Sequence, residues 1–341
     1  MNSRFLKACR GEPADCTPVW LNRQAGRYMP EYHALKGDTP SLEFFTTPDL
    51  AARAALDAQR ILGTDAAIMF GDLLPILVPM GLDLDYLQDV GPVIGNPLRS
   101  AADVSGLATP PAREGTGYIA DTIRQILDGL PQGTPLIGFA GAPFTLASYA
   151  VEGKGSRNYL HVKRLMYQSP TVWDTLMDKL VAAVSDYVRL QIDSGVHAVQ
   201  IFDSWVGCLS RQDYDRYVKR HTSRLMASIG GRVPVIYFGT GNSHLVEAMF
   251  ETGPDFLALD WRTPLGATWD RLSMPAAQGN MDPTALCADR KTVAAQAQRV
   301  LDEAHGRPGH IFNLGHGILP QTPVDNVKFL IDYVHEQSAR R

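Results

Sequence analysis

Two arginines, Arg23 and Arg27, stand close together in the stretch PVWLNRQAGRYMPEY, which runs from Pro18 to Tyr32. The stretch opens as an apolar strand, Pro18 to Leu21, and changes character within two residues. Arginine is rarely buried without a partner, and its planar fork fits carboxylate or phosphate. Ion pairing to acids elsewhere in the fold would account for one such residue. Two of them where a strand ends favour anion recognition, because sites in α/β folds sit at strand ends.

The elements that must carry these residues follow from the apolar runs. Short runs bounded by turn residues predict strands over 18–23, 66–72, 135–141, 198–204, 234–239, 256–261, 276–281 and 310–316. Most are continuous rather than alternating, as strands buried on both faces are. Helical periodicity predicts helices over 48–62, 115–129, 171–194, 211–229, 242–252, 284–305 and 323–339. Thr47 before Pro48 and Ser169 before Pro170 read as N-caps followed by proline. Eight strands alternating with helices predict a single α/β domain over 1–341, a (β/α)8 TIM-type barrel with a short N-terminal arm over 1–17. An open doubly wound sheet would want a glycine-rich fingerprint after the first strand, and Asn22 to Gly26 is not one. The connection 73–114, with Pro75, Pro79, Pro92, Pro97, Pro110 and Pro111, is read as a wall or lid of the cleft.

In such a barrel the strand ends face the site. Those ends bring Arg23, Asp72, Ala142, Asp203 with Ser204, Gly239, Asp260, Asn280 and His316, with Arg27 and Tyr149 just beyond. Each polar residue also has a structural reading. Asp72 could hold a turn, Asp203 and Ser204 could cap a segment, Tyr149 could pack, and His316 could anchor its loop. No lysine falls at a strand end, which argues against Schiff-base chemistry. No HExxH or His-x-Cys pair suggests zinc, and no glycine pattern suggests a nucleotide. The glycines at 239–241 and 315–317 could cradle phosphate, but LGHGILPQTP offers no neighbouring Lys or Arg. The expectation is a site without metal or cofactor.

The bulk numbers are those of an ordinary soluble globular protein. The 341 residues are 45% hydrophobic and 20% charged, and the net charge of −4 argues against a general nucleic-acid binder. Cys9, Cys16, Cys208 and Cys287 show no CxxC spacing, which fits a reduced, cytoplasmic compartment. The N-terminus lacks an apolar h-region, so no signal peptide is expected, and Leu73 to Leu82 is too short for a membrane span.

Read in order, NRQAGRYMPEY, FGDLL, GAPFTLASYAVEG, FDSW, YFG, GNMDP and NLGHGI resemble the uroporphyrinogen decarboxylase family of haem biosynthesis. The likeness covers nearly the whole chain; the first motif is highly specific, whereas GNMDP alone would be weak. It implies a single-domain barrel and a cofactor-free cytosolic homodimer. The reaction implied is a carboxy-lyase one, removing four acetate carboxyls from uroporphyrinogen to give coproporphyrinogen and CO2. By resemblance, Arg23 and Arg27 bind substrate carboxylates, and Gln24 and Ala25 line the same wall. Asp72 accepts the pyrrole NH groups, and Tyr149, Ser204 and His316 contact substrate side chains. Catalysis falls to Asp72, Arg23 and Tyr149, with Arg23 given the proton-donor role in the family. Two other readings stand beside this one. Corrinoid-linked methyltransferases resemble the family in fold but use zinc ligands that are missing here. A non-catalytic tetrapyrrole-binding protein would need no proton donor.

Overall fold

The computed structural model describes residues 3–340. Seven parallel strands follow one another around a curled sheet in the order β1, β4, β5, β6, β7, β8, β9. These are β1 (Ala67–Ile68), β4 (Leu136–Gly141), β5 (Ala198–Asp203), β6 (Val235–Gly239), β7 (Phe256–Ala258), β8 (Ala277–Gln278) and β9 (His310–Ile311). The eighth stave is the expected first strand, 18–23, and it is thinner than its apolar run suggests. It meets β9's edge through a single parallel bridge, Val19 with Phe312. On its other side the ladder is replaced by Asp65, whose backbone NH reaches the Val19 carbonyl at 2.8 Å and whose side chain accepts the Val19 NH at 2.7 Å. A side chain thus closes the barrel where sheet pairing gives out.

One end of the barrel is sealed. The first residues, expected as an arm, form a helix over Arg4–Cys9, begun by Ser3 accepting the Leu6 NH. Its Phe5, Leu6, Ala8 and Cys9 are buried against Trp20, Ile137, Ala198, Ile236, Phe256 and Ile311, residues from around the whole sheet. Asp65 also pairs with Arg4 at 2.9 Å and His335 at 2.7 Å, tying this plug to the last helix, Val324–Ser338.

Above the plug a chain of buried amides crosses the interior. Trp20 Nε1 donates to Gln278 Oε1 at 2.9 Å, Gln278 Nε2 to Gln200 Oε1 at 2.8 Å, and Gln200 Nε2 to Asn22 Oδ1 at 3.0 Å. Asn22 Nδ2 ends the chain at the Leu314 carbonyl, 3.4 Å away. β5 and β8 are not neighbours, so these bonds run across the barrel rather than along its wall. Nearer the mouth, Phe139, Phe202 and Phe238 meet edge to face, with centroids 6.1 and 5.7 Å apart.

The helices form the outer layer, in part shorter than their periodicity suggests. The run 211–229 is two helices, Arg211–Tyr217 and Lys219–Ile229, broken at Val218. Within 242–252 only Val246–Phe250 is helical, and 284–305 divides into a 3₁₀ turn, Pro283–Cys287, and a helix, Arg290–Ala304. Pro48 and Pro170 do begin helices, but neither Thr47 nor Ser169 makes a side-chain cap, so proline's fixed φ sets the start there.

The connection 73–114 carries structure of its own. It holds an antiparallel hairpin, β2 (Leu84–Leu87) with β3 (Gly91–Ile94), and short helices over Ala101–Gly106 and Ala112–Gly115. It is nailed down from both sides. Ile94 and Leu98 donate their NH groups to the carbonyls of Gly153 and Ala150, at 2.7 and 2.9 Å. Lys179 Nζ holds the carbonyls of Val104, Ser105 and Leu107 within 3.0 Å. Such anchoring makes the segment a fixed wall of the mouth.

Candidate active site

At the open end the polar groups are largely uncommitted. Arg23 sits in a turn, at φ +64°, a left-handed conformation uncommon for a residue with a long side chain. Its stem lies so close over Gly317 that a Cβ there would collide with it. The glycine in the LGHGI loop is therefore what lets the guanidinium cross toward His316. Arg23 and Arg27 are both exposed, and neither makes an ion pair with a carboxylate among the described residues. Structural pairing does not account for them.

Gln24 behaves in the opposite way. Its Oε1 accepts the Leu21 NH and its Nε2 donates to the Ala66 carbonyl, both at 3.2 Å. Its backbone NH reaches Leu21 and its carbonyl accepts the Tyr28 hydroxyl at 2.7 Å. Each polar group of Gln24 has a partner inside the protein, so its place is to hold the turn that presents the two arginines. Ala25, half-buried, follows it on the same turn.

Asp72 stands just past β1, half-buried, with Oδ1 accepting the Leu74 NH at 3.0 Å. Burial raises its pKa above the usual carboxylate value, against the Leu74 NH, Tyr86 and the Arg23 charge, which lower it. Tyr149 comes from the helix Pro143–Glu152, where Pro143 at the first turn follows β4 directly. Its ring stacks on Trp205 with centroids 3.7 Å apart. Burial and then the Asp72 charge push its phenol well up, so it is a neutral hydroxyl. His316 accepts the Gly317 NH at Nδ1, 2.8 Å, which puts the imidazole proton on Nε2. Burial first, and then Arg23, lower its pKa and keep it neutral. Ser204 is half-buried after β5, its carbonyl taken by Thr240 Oγ1 at 2.5 Å.

Arg23, Asp72 and Tyr149 therefore form one electrostatic group, and His316 joins it through Arg23. The other strand-end acids are committed to protein partners, although Asp260 also acts on His316. Asp203 points away from the interior and accepts Thr145 Oγ1 at 2.6 Å and the Tyr237 hydroxyl at 2.7 Å. Asp260 is fully buried and accepts the Gly241 NH at 3.0 Å and the Arg262 guanidinium at 2.8 Å. Residues beyond those read from the sequence also shape the mouth. Trp205, in the FDSW motif, backs Tyr149. Tyr86, from the hairpin, faces Asp72. The signal for Tyr86 was available in the alternation Leu82, Leu84, Tyr86, each turned inward while Asp83 and Asp85 are exposed.

The site can bind several carboxylates at its rim and present one carboxylate at its centre to NH donors or to a cation. Among the described residues no three His, Cys, Asp or Glu side chains gather as a metal-ligand group.

Comparison with known proteins bears on the family and the fold. The family model described as uroporphyrinogen decarboxylase (URO-D) matches residues 1–337. A uroporphyrinogen decarboxylase of Koribacter versatilis is 50% identical over 342 aligned residues, covering 99% of this chain and 97% of the relative. One from Geobacter sulfurreducens is 47% identical and covers all of both chains. Among solved structures, a methyltransferase from Methanosarcina mazei superposes with a TM-score of 0.83 over 98% of each chain, at 22% identity. That likeness supports the barrel alone. The full-length family match and the high identity of these relatives place the chain in the uroporphyrinogen decarboxylase family.

Proposed function

We propose that this protein is a carboxy-lyase that converts uroporphyrinogen to coproporphyrinogen, removing four acetate carboxyls as CO2. The observation that carries this reading is Arg23, exposed and without an acid partner among the described residues, acting on the half-buried carboxylate of Asp72, with a second exposed arginine, Arg27, on the same turn. The substrate has the complementary form: eight carboxylates around a macrocycle with four NH donors in the middle. Arginine forks suit the first and a carboxylate acceptor suits the second.

Loss of CO2 from a pyrrole acetate needs somewhere for the electron pair to go. Protonation of a ring carbon creates a delocalised cation beside Asp72. The bond to the carboxylate then breaks, the pair flows into that cation, a second proton completes the methyl group, and loss of the first proton from the ring carbon restores the pyrrole. A fixed anion stabilises the cation as it forms, with no reorganisation at the moment of reaction. The ring itself is the electron sink, so no organic cofactor is needed. A guanidinium is a very weak acid, and the Tyr149 phenol is raised by burial. The proton is therefore assigned to a substrate carboxyl or to water beside Tyr149. Arg23 contributes to catalysis by holding a carboxylate and balancing Asp72; Arg27, Ser204 and His316 position the arms. A homodimer that covers the mouth with its partner belongs to the same reading, as does a cytoplasmic location.

The test is anaerobic incubation of the purified protein with uroporphyrinogen, without added metal or organic cofactor, followed by product mass. Stepwise loss of four CO2 is expected. Substrate bound but unchanged would make this a binding protein, and activity lost on chelation and restored by a metal would refute the cofactor-free mechanism.

A further inference from the structure

Tyr86 lies on β2, and its ring packs edge to face on Phe45 with centroids 5.3 Å apart. Its hydroxyl is buried and has no hydrogen-bond partner. It faces the Asp72 carboxylate closely enough for each to shift the other, yet outside full hydrogen-bonding geometry. A buried hydroxyl without a partner is unfavourable, and a phenyl ring would fill the same space without that cost. The hydroxyl is therefore kept against stability beside the Asp72 carboxylate.

The groups around Asp72 define what such a hydroxyl can do. Arg23 approaches from the turn after the first stave, Tyr149 from the helix after β4, and Leu74 donates from the connection itself. Tyr187, from the helix Pro170–Asp193, is also near, and Tyr118, from the helix Tyr118–Gly129, lies against Tyr86 and Tyr187. Arg23 is the one cation in this set, and it does not touch the carboxylate as an ion pair. A carboxylate has about four acceptor positions. Leu74 uses one, and a second donor would leave two facing the pyrrole NH groups. If Asp72 were protonated it would present a donor to those donors, so the site must hold it ionised against its own burial.

Building on the proposed function, we propose that Tyr86 is a positioning residue for Asp72, completing a hydrogen bond to the carboxylate in the substrate complex. That bond keeps the carboxylate ionised and aimed at the pyrrole NH groups. The hairpin wall thus supplies a working part of the site, through the acid rather than through substrate.

Tyr86→Phe removes the hydroxyl alone. The acid limb of its kcat/KM profile is expected to move up by about half a pH unit or more, because loss of a donor to the ionised form raises the acid's pKa. The ratio of parent to variant activity should shrink as pH rises, and Tm should be equal or higher. A second readout needs no turnover: the Tm gained by Asp72→Asn at pH 7 should be larger in the Tyr86→Phe background than in the parent. An unchanged acid limb together with an equal Tm gain in both backgrounds would overturn the proposal. If the parent protein fails to turn over uroporphyrinogen, the functional reading falls, while the Tm comparison still decides whether Tyr86 and Asp72 are coupled.

Discussion

The two ends of the barrel use charge in opposite ways. At the sealed end Asp65, about 10% exposed, serves Arg4, His335 and the Val19 NH together. At the open end Arg23 and Arg27 have no acid partner among the described residues, and burial opposes ionisation of Asp72. The first arrangement lowers the energy of the fold by satisfying every group it buries. The second leaves groups waiting for something that is not protein. Partner saturation, more than residue type, separates the charges at the sealed end from those at the open end, to which the proposed function assigns substrate binding.

The sharpest way to break this contrast is Asp72→Asn. The amide keeps the size and an acceptor for the Leu74 NH but removes the charge. Turnover is expected to fall 10²–10³-fold, about 3–4 kcal/mol, as when a preorganised electrostatic partner is lost. Tm at pH 7 should hold or rise, since the folded state disfavours the ionised acid. A folded variant within about threefold of the parent rate would remove Asp72 from the mechanism.

Asp65→Asn tests the other end. It leaves Arg4 with Asp15 only and weakens the closure at Val19, so a stability loss of about 3 kcal/mol is expected by denaturant unfolding. The KM of the folded fraction should not change. A change in KM with no loss of stability would reverse the roles of the two ends.

Asp203 sharpens the comparison, because it lies at a strand end yet is saturated. Full burial lifts its pKa from 3.8 to about 6, despite hydrogen bonds from Thr145 and Tyr237. The folded state thus keeps a proton that the unfolded chain has released. This contribution is full below the unfolded value and is lost as pH rises through about 6. The two values differ by about two units, or ~3 kcal/mol. The stability difference between the parent and Asp203→Asn should change by roughly that amount between pH 4 and 6 and be flat above. A difference independent of pH would mean that Asp203 is ionised throughout.

Arg27→Ala carries the smallest expected effect. Loss of one charge-assisted contact is worth about 1.5–3 kcal/mol, so substrate binding should weaken roughly tenfold or more. Because Arg27 is exposed and unpaired, Tm should stay put. An unchanged KM with a large fall in Tm would place it among the structural arginines.

Much of this was legible in the sequence, for reasons that differ by element. β4 and β6 are continuous apolar runs and β5 is broken only by Gln200 and Asp203, so their shortness and bounding turns mark strands buried on both faces. The stave at 18–23 read as a full strand because composition cannot report that Asp65 replaces a ladder. The plug over Arg4–Cys9 escaped notice because six residues show no helical period. The hairpin was hidden by the prolines around it, although Leu82, Leu84 and Tyr86 alternate as a strand should. At the strand ends, residue type could not distinguish Gln24, whose amide is spent, from Arg23, which has no acid partner among the described residues. That difference is a matter of partners, and one of them, the Ala66 carbonyl, lies 42 residues away in the chain.

The chain of amides across the interior has a consequence for how the molecule can be divided. It starts at an indole, which can only donate, and ends at a carbonyl, which can only accept, so every amide between has one permitted orientation. Three of its four hydrogen bonds join residues before β6 to residues after it: Trp20 to Gln278, Gln278 to Gln200, and Asn22 to Leu314. A fragment ending at Asp203 would keep the bond from Gln200 to Asn22 but leave Trp20 Nε1, Gln200 Oε1 and Asn22 Nδ2 with nothing to answer them, and the remaining fragment would strand Gln278 in the same way. Neither half has a closed interior of its own. Barrels of this shape are often imagined as two fused halves, but this one is stitched through the middle, and its halves should be recoverable only as a complementing pair.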